Sequence, residues 1–254
     1  EVNESILEKY LEIINGGGVT DEIEYCWKSY FVEDKWVVLK NENTYNLVGM
    51  TTWGAAYLLS DFILQNKSLF ENKNILELGS GTGLAGIALD YVKPLKKVIL
   101  TDYSPKVLKN LKENIELNNI GIDDLINDED NQDLNGNNRF KVKILDWEIE
   151  DLTVLDKEYS DGDNSTNIIL GADIVYEPSL ARYLVRILDY LLNKNKDSVA
   201  YISSTIRNQS TFTTFQQELK EKQLTVEDIT NTLADKPSPF IYDKSQIVLY
   251  KIHK

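Results

Sequence analysis

The chain is poor in the side chains that many catalytic and metal centres use. It has one cysteine, Cys26, and one histidine, His253, next to the C-terminus. A single cysteine excludes an internal disulfide and suits a reducing compartment, so a cytoplasmic location is expected. One Cys and one His are too few for a zinc site or a Cys–His nucleophile pair, and the expected chemistry is metal-free. Basic residues are also short: 27 Lys and Arg stand against 41 Asp and Glu, a net charge of −14. That field repels phosphate backbones and argues against sequence-independent binding to nucleic acid. It serves solubility alone, or it steers a basic protein partner inward. No apolar run reaches the roughly 18 residues of a membrane span, so no membrane partner is expected. A basic-then-apolar start of the signal-peptide kind is missing as well. The chain opens on Glu1 rather than Met, as a trimmed chain would.

What is present is enough for one large core, or a core domain with a small extension: 254 residues, 42% of them hydrophobic. SILEKYLEII carries apolar residues at Ile6, Leu7, Tyr10, Leu11 and Ile14, a helical period ending at Gly16–Gly18. YCWKSYFVEDKWVVLK predicts two strands joined by a tight turn around Glu33–Asp34. TTWGAAYLLSDFILQN predicts a helix with Thr51 or Thr52 as its N-cap. From residue 74 strands and helices alternate. NILEL, VILTD, FKVKILDW, NIILGADIVY and SVAYISSTI read as strands, with helices near 83–92, across 104–119 (Ser104 as N-cap), over SLARYLVRILDYLL and at about 209–222. This alternation predicts an α/β fold, a mainly parallel Rossmann-like sheet with helices on both faces. QLTVEDI and SQIVLYKI close the chain as an antiparallel hairpin at the sheet edge. Residues 121–138, rich in Asp and Asn, read as an acidic insertion.

Open parallel sheets bind ligands beyond the carboxyl ends of their strands, so four strand ends carry the functional expectation. The first is ILELGSGTGLAG, residues 75–86. Gly81, Gly83 and Gly86 fit the dinucleotide spacing G-x-G-x-x-G, while Glu77, Gly79, Gly81 and Gly83 fit E-x-G-x-G-x-G. Glycines there let a ligand approach the backbone and its N–H groups. The second is Asp102, 19 residues after Gly83, placed to accept both hydroxyls of a ribose, or else a helix cap. The third is Asp146–Trp147, an indole for an adenine face and a carboxylate for its exocyclic amine; as the alternative, Trp147 is a core or rim aromatic. The fourth is GADIVYEP, where Asp173 and Tyr176 either handle a cationic amine or serve as an N-cap and a packing tyrosine. A nicotinamide enzyme would show the same ribose acid, but the chain has no Tyr-x-x-x-Lys pair and no histidine outside its tail.

E-L-G-S-G-T-G, the Asp after the second strand, L-D-W and A-D-I-V-Y together resemble the seven-β-strand S-adenosylmethionine-dependent methyltransferases. More narrowly, with GMTTWGAAYLLSDFI, they resemble the family-16 group of protein lysine methyltransferases and their D-x-x-Y motif. STIRNQSTFTTFQQEL and SPFIYD are most similar to the eukaryotic elongation factor 2 lysine methyltransferases within that group. The resemblance implies a methyltransferase domain over 49–254, preceded by a helix and hairpin extension over 1–48. It implies S-adenosylmethionine as cofactor, elongation factor 2 as protein partner, and a monomer. It also implies cofactor contacts from Trp53, Gly79, Ser80, Gly81, Asp102, Trp147 and Ala172, beside Glu77, Gly83 and Asp146 from the loop ends. Asp173 and Tyr176 become the catalytic pair, with Asp173 capturing the lysine ammonium and Tyr176 hydrogen-bonding the amine. On that role, Asp173→Ala loses transfer and keeps cofactor binding. A methyltransferase of another protein or of a small molecule, a nicotinamide dehydrogenase and a non-catalytic cofactor-binding adaptor remain the alternatives.

Overall fold

The computed structural model describes residues 25–43, 47–123, 139–158, 167–233 and 236–254. The expected helix over residues 6–14 and most of the acidic insertion lie outside them. Strands β1 (Tyr25–Val32) and β2 (Lys35–Glu42) form the expected hairpin, Val32 opposite Lys35, with Glu33 turning at φ 55°. Side-chain alternation splits the hairpin into two faces. Val32, Val37 and Leu39 enter the main core, whereas Trp27, Phe31 and Trp36 stay exposed.

Helix α1 (Gly54–Gln65), with Trp53 as its N-cap residue, begins one or two residues later than a threonine cap would place it. Thr52 is drawn elsewhere: its N–H and hydroxyl donate to Asn41 Oδ1 at 2.8 and 2.9 Å, and its hydroxyl also meets Thr82 Oγ1 at 2.8 Å. The alternating part follows as β3 (Asn74–Leu78), α2 (Leu84–Ala88), β4 (Lys97–Asp102), α3 (Pro105–Leu117) and a two-residue β5 (Ile122–Asp123). Then come β6 (Phe140–Ile144), α4 (Val154–Glu158), β7 (Ile168–Ala172), α5 (Pro178–Lys194), β8 (Val199–Thr205) and α6 (Gln209–Glu221), closed by β9 (Thr225–Asp228) and β10 (Ile247–His253). Ser104 caps α3 as expected, its hydroxyl accepting from Val107 N.

The eight strands lie in the order β5-β6-β4-β3-β7-β8-β10-β9, the first six parallel. β9 and β10 pair antiparallel as expected, but β10 is inserted between β8 and β9, so β9 alone forms that edge. The apolar repeat of β10 explains this: Ile247, Leu249 and Ile252 are all but buried, while every residue of β9 is exposed.

Each face of the sheet has its own core. On one lie Leu58, Leu59 and Phe62 of α1 with Leu108, Leu111 and Ile115 of α3, together with the hairpin. On the other lie α5 and α6, α5 through the helical stripe Ala181, Leu184, Val185, Leu188, Leu192. Each such leucine contributes about 1.5–3 kcal/mol by leaving water. Strand β3 serves both cores, Ile75 one and Leu76 and Leu78 the other. The period of two therefore puts Glu77 on the Ile75 face, toward α2. Asn114 of α3 and Asn118, its C-cap residue, fasten the hairpin to this frame by accepting from Lys40 N at 2.7 Å and Val38 N at 2.9 Å. Side-chain amides thus satisfy part of the open edge of β2.

Candidate active site

β3 leaves the sheet at Leu78, and the loop after it turns on glycines. Gly79, Gly81 and Gly83 have φ of 62°, 53° and 89°. Gly79 also has no room for a side chain: a Cβ there would lie 2.8 Å from Ile174 and 3.4 Å from Trp147. The turn is held by Gly83 N donating to Ser80 O at 2.9 Å and by Ser80 N donating to Thr101 O at 2.7 Å. Gly86, the last glycine of the dinucleotide spacing, is a packing residue. A Cβ there would come within 2.7 Å of Leu100 and 3.1 Å of Glu77 Oε2.

At the end of β4, Asp102 is 7% exposed and accepts from Gly81 N at 3.3 Å and Ser104 N at 3.1 Å. Burial raises its pKa, and the backbone N–H groups of Ser104 and Gly81 oppose that rise. Strand β6 stops at Ile144, so Asp146 and Trp147 stand on the loop beyond it. Asp146 is exposed and accepts from Glu148 N, while Trp147 packs on the second core and turns its ring edge to Gly79.

Asp173 follows the last residue of β7 with φ 56°, a left-handed conformation that Asp tolerates better than most residues. Its side chain is 3% exposed, and five hydrogen bonds converge on it. Oδ1 accepts from Thr205 N at 2.8 Å and one Arg207 nitrogen at 3.2 Å. Oδ2 accepts from Ala55 N at 3.1 Å, Thr205 Oγ1 at 3.0 Å and the other Arg207 nitrogen at 3.2 Å. Asp173 thus binds a first-turn N–H of α1, satisfying a group that the sequence pattern assigns to a threonine. The carboxylate that the resemblance casts as partner of an ammonium is filled by the chain's own donors. Arg207 completes the arrangement by lying over the Trp53 ring, 4.9 Å from its centre, while Trp53 Nε1 donates to Val48 O at 2.8 Å.

These loops enclose a cavity of about 550 Å3. Its wall includes Trp53, Glu77, Gly79, Ser80, Gly81, Asp102, Asp146, Trp147, Ala172, Asp173 and Tyr176, all picked out from the sequence. Gly83 is the exception. It is the N-cap residue of α2, where a Cβ would collide with Leu111 at 2.4 Å. The wall also holds Tyr103, Glu148 and Glu177, each adjacent in sequence to an expected residue. Arg207 and Thr205 were legible only as part of the STIRNQ segment. Tyr176 is 45% exposed, and burial with nearby Tyr103, Asp102 and Glu177 raises its pKa, so its hydroxyl keeps its proton at neutral pH.

The polar chemistry of the wall is one-sided. Six carboxylates line it (Glu77, Asp102, Asp146, Glu148, Asp173 and Glu177), and among the described residues no Lys, Arg or His does. Glu77 is 2% exposed and its Oε2 has no hydrogen-bond partner. Burial pushes its carboxyl up to about 8, the Asp102 charge adds to this, and hydrogen bonds from Ser80 and the Gly86 backbone oppose it. A buried carboxyl oxygen without a partner is costly unless a ligand group satisfies it. S-adenosylmethionine, which carries an α-ammonium, a sulfonium and a ribose diol, fits this donor-poor, acid-rich cradle.

Sheet order and glycine loop define the Rossmann-like methyltransferase fold, and the solved structures agree on it. SMU.776, solved in complex with S-adenosylhomocysteine, superposes with a TM-score of 0.58 at 12% identity, covering 93% of this chain and 57% of that one. The lysine methyltransferase family profile matches residues 33–222, and the chain belongs to that family. It is 65% identical to an uncharacterised Dictyostelium discoideum protein over 100% of its own length and 76% of that protein's. It is 30% identical to the human protein-lysine N-methyltransferase EEF2KMT over 76% of this chain, and it spans 57% of the human enzyme.

Proposed function

We propose that this protein transfers a methyl group from S-adenosylmethionine to the ε-amine of a lysine in elongation factor 2, in the cytoplasm. The observation that carries the reading is the wall of six carboxylates without a basic side chain among the described residues, set among Trp53, Tyr103, Trp147 and Tyr176. Aromatic faces and carboxylates together attract cations, and both the methyl donor and a lysine are cationic. A nicotinamide dinucleotide would set the negative charges of its pyrophosphate against those acidic side chains. The family membership, the likeness to EEF2KMT and the resemblance of STIRNQSTFTTFQQEL and SPFIYD support the particular acceptor.

When bound, the cofactor supplies a methyl already activated on sulfonium, so neither a metal nor a covalent intermediate is called for. Glu77 meets its ammonium, Asp102 the ribose, and Asp146 and Trp147 the adenine. Gly79, Ser80, Gly81, Trp53 and Ala172 shape the remaining contacts. The acceptor lysine, with a reference pKa of about 10.4, must shed a proton before it can attack. Burial in the cavity favours that loss, and each charged carboxylate opposes it. Tyr176, half exposed in the wall and protonated, hydrogen-bonds and aligns the amine, and water takes the proton. Asp173 positions the wall itself, through Ala55 and Arg207.

Incubating the protein with labelled S-adenosylmethionine and purified elongation factor 2 tests the acceptor. Label on one lysine of the factor is expected, and label on other cytosolic proteins alone overturns the assignment. Asp102→Ala tests the cofactor geometry: it should weaken S-adenosylhomocysteine binding by roughly 10- to 100-fold, the worth of one or two hydrogen bonds to a charged acceptor. An unchanged dissociation constant by titration calorimetry removes Asp102 from the ribose site.

A further inference from the structure

The STIRNQ segment supplies Thr205 and Arg207, which have so far served only to hold Asp173 and the wall in place. Arg207 reaches both oxygens of Asp173 at 3.2 Å, and its guanidinium rests on Trp53. Its side chain is 45% exposed, and it is not part of the cavity wall, whereas Asp173 and Trp53 are. The cation therefore stands outside the cavity, against an acid that belongs to it.

This placement bears on a conflict in the reaction. The amine needs its lone pair, but a carboxylate facing it stabilises the ammonium, which has none. We propose that Arg207 is a positioning residue for methyl transfer, holding Asp173 as a neutralised pair so that the amine meets no bare carboxylate there. The proposal rests on the lysine-methyltransferase reading of the site. The groups facing Asp173 leave this task to Arg207. Its own segment brings Tyr176 and Glu177, and the start of α1 brings the Ala55 N–H and Trp53. The end of β8 brings Thr205 and Arg207, and the rest of the wall adds carboxylates. An arginine suits this position better than a lysine because its planar fork spans both oxygens while its face stacks on an indole.

The test compares wild type with Arg207→Gln, Arg207→Met and Arg207→Lys, each checked for folding by thermal melting. Two probes are titrated by calorimetry: S-adenosylhomocysteine, and sinefungin, an analogue with an ammonium in place of the transferable methyl. Without the guanidinium charge, Asp173 keeps its Ala55 and Thr205 donors but has no cation beside it. Sinefungin should then gain roughly tenfold over S-adenosylhomocysteine in the Gln and Met variants, one pKa unit in the ammonium's favour, and change little in the Lys variant. With elongation factor 2 as acceptor, the pH profile of kcat for the neutral variants should move up by about one unit. A merely structural role would lower both affinities alike and leave the profile in place. An unchanged probe ratio in the folded Gln and Met variants overturns the proposal. Should wild type leave elongation factor 2 unlabelled while the probe ratio shifts as expected, the acceptor assignment falls and the role of Arg207 stands.

Discussion

Replacing Asp173 with alanine should abolish methyl transfer and weaken cofactor binding at the same time. A carboxylate that only captured the substrate ammonium would, when removed, leave cofactor binding intact. The five hydrogen bonds at Asp173 dictate otherwise. Their loss strands the Ala55 and Thr205 N–H groups in a buried place and frees Arg207 from beside Trp53. Breaking a buried pair costs about 3–5 kcal/mol, and we expect the lower end because Arg207 is partly in water. For a chain of this size about 3 kcal/mol lowers Tm by roughly 6–12 °C. Trp53 and the first turn of α1 would lose their anchor, and the cofactor its wall. Calorimetry with S-adenosylhomocysteine and a melting curve check both parts. Affinity within twofold of wild type would remove Asp173 from its place as a hub and return it to direct capture.

Cofactor affinity should rise about tenfold per pH unit from pH 6 to about pH 8 and then level off. Burial pushes the Glu77 carboxyl up to about 8, so below that pH the cofactor-free protein keeps a proton there. A cofactor ammonium at the unpaired oxygen favours the carboxylate, so binding expels a proton. The sign for the ligand-free protein is opposite. Glu77 binds its proton more tightly folded than unfolded, so its contribution to stability is full below about pH 4.5 and is lost as pH rises through about 8. Calorimetry in two buffers of different ionisation enthalpy should count close to one proton released at pH 7. Glu77→Gln should bind weakly at every pH and flatten the profile; if the slope survives in that variant, Glu77 is not its source.

The glycine loop shows where local sequence is sufficient. Its spacing, the strand before it and Asp102 after the next strand are read along one βαβ unit, where short-range pattern and the period of two dictate geometry. The ambiguity between dinucleotide and methyl-donor spacings is not resolved within the loop, because Gly86 packs against Leu100 and Glu77 as the last glycine of a dinucleotide loop also would. The cap of α1 shows the opposite case. A threonine beside a helical run is a sound local choice, but Asn41 and Thr82 compete for Thr52, and Asp173, 118 residues from Ala55, takes the helix N–H. The order of the last strands was hidden in the same way, because antiparallel pairing says which strands are neighbours in sequence and not which one is inserted between others.

From the sequence alone, then, come the α/β class, the positions of the loop glycines, the acid at the end of β4 and eleven of the residues that face the cavity. Each depends on periodicity or on the position of a residue at a strand end, and both survive folding unchanged. Only the tertiary structure decided what Asp173 is bonded to, that Glu77 Oε2 is left without a partner, and that Arg207 stands against Asp173 and Trp53. Those facts depend on donors brought together from β8, α1 and the loop after β7, and the burial that makes them matter exists only once the two cores have closed around the sheet.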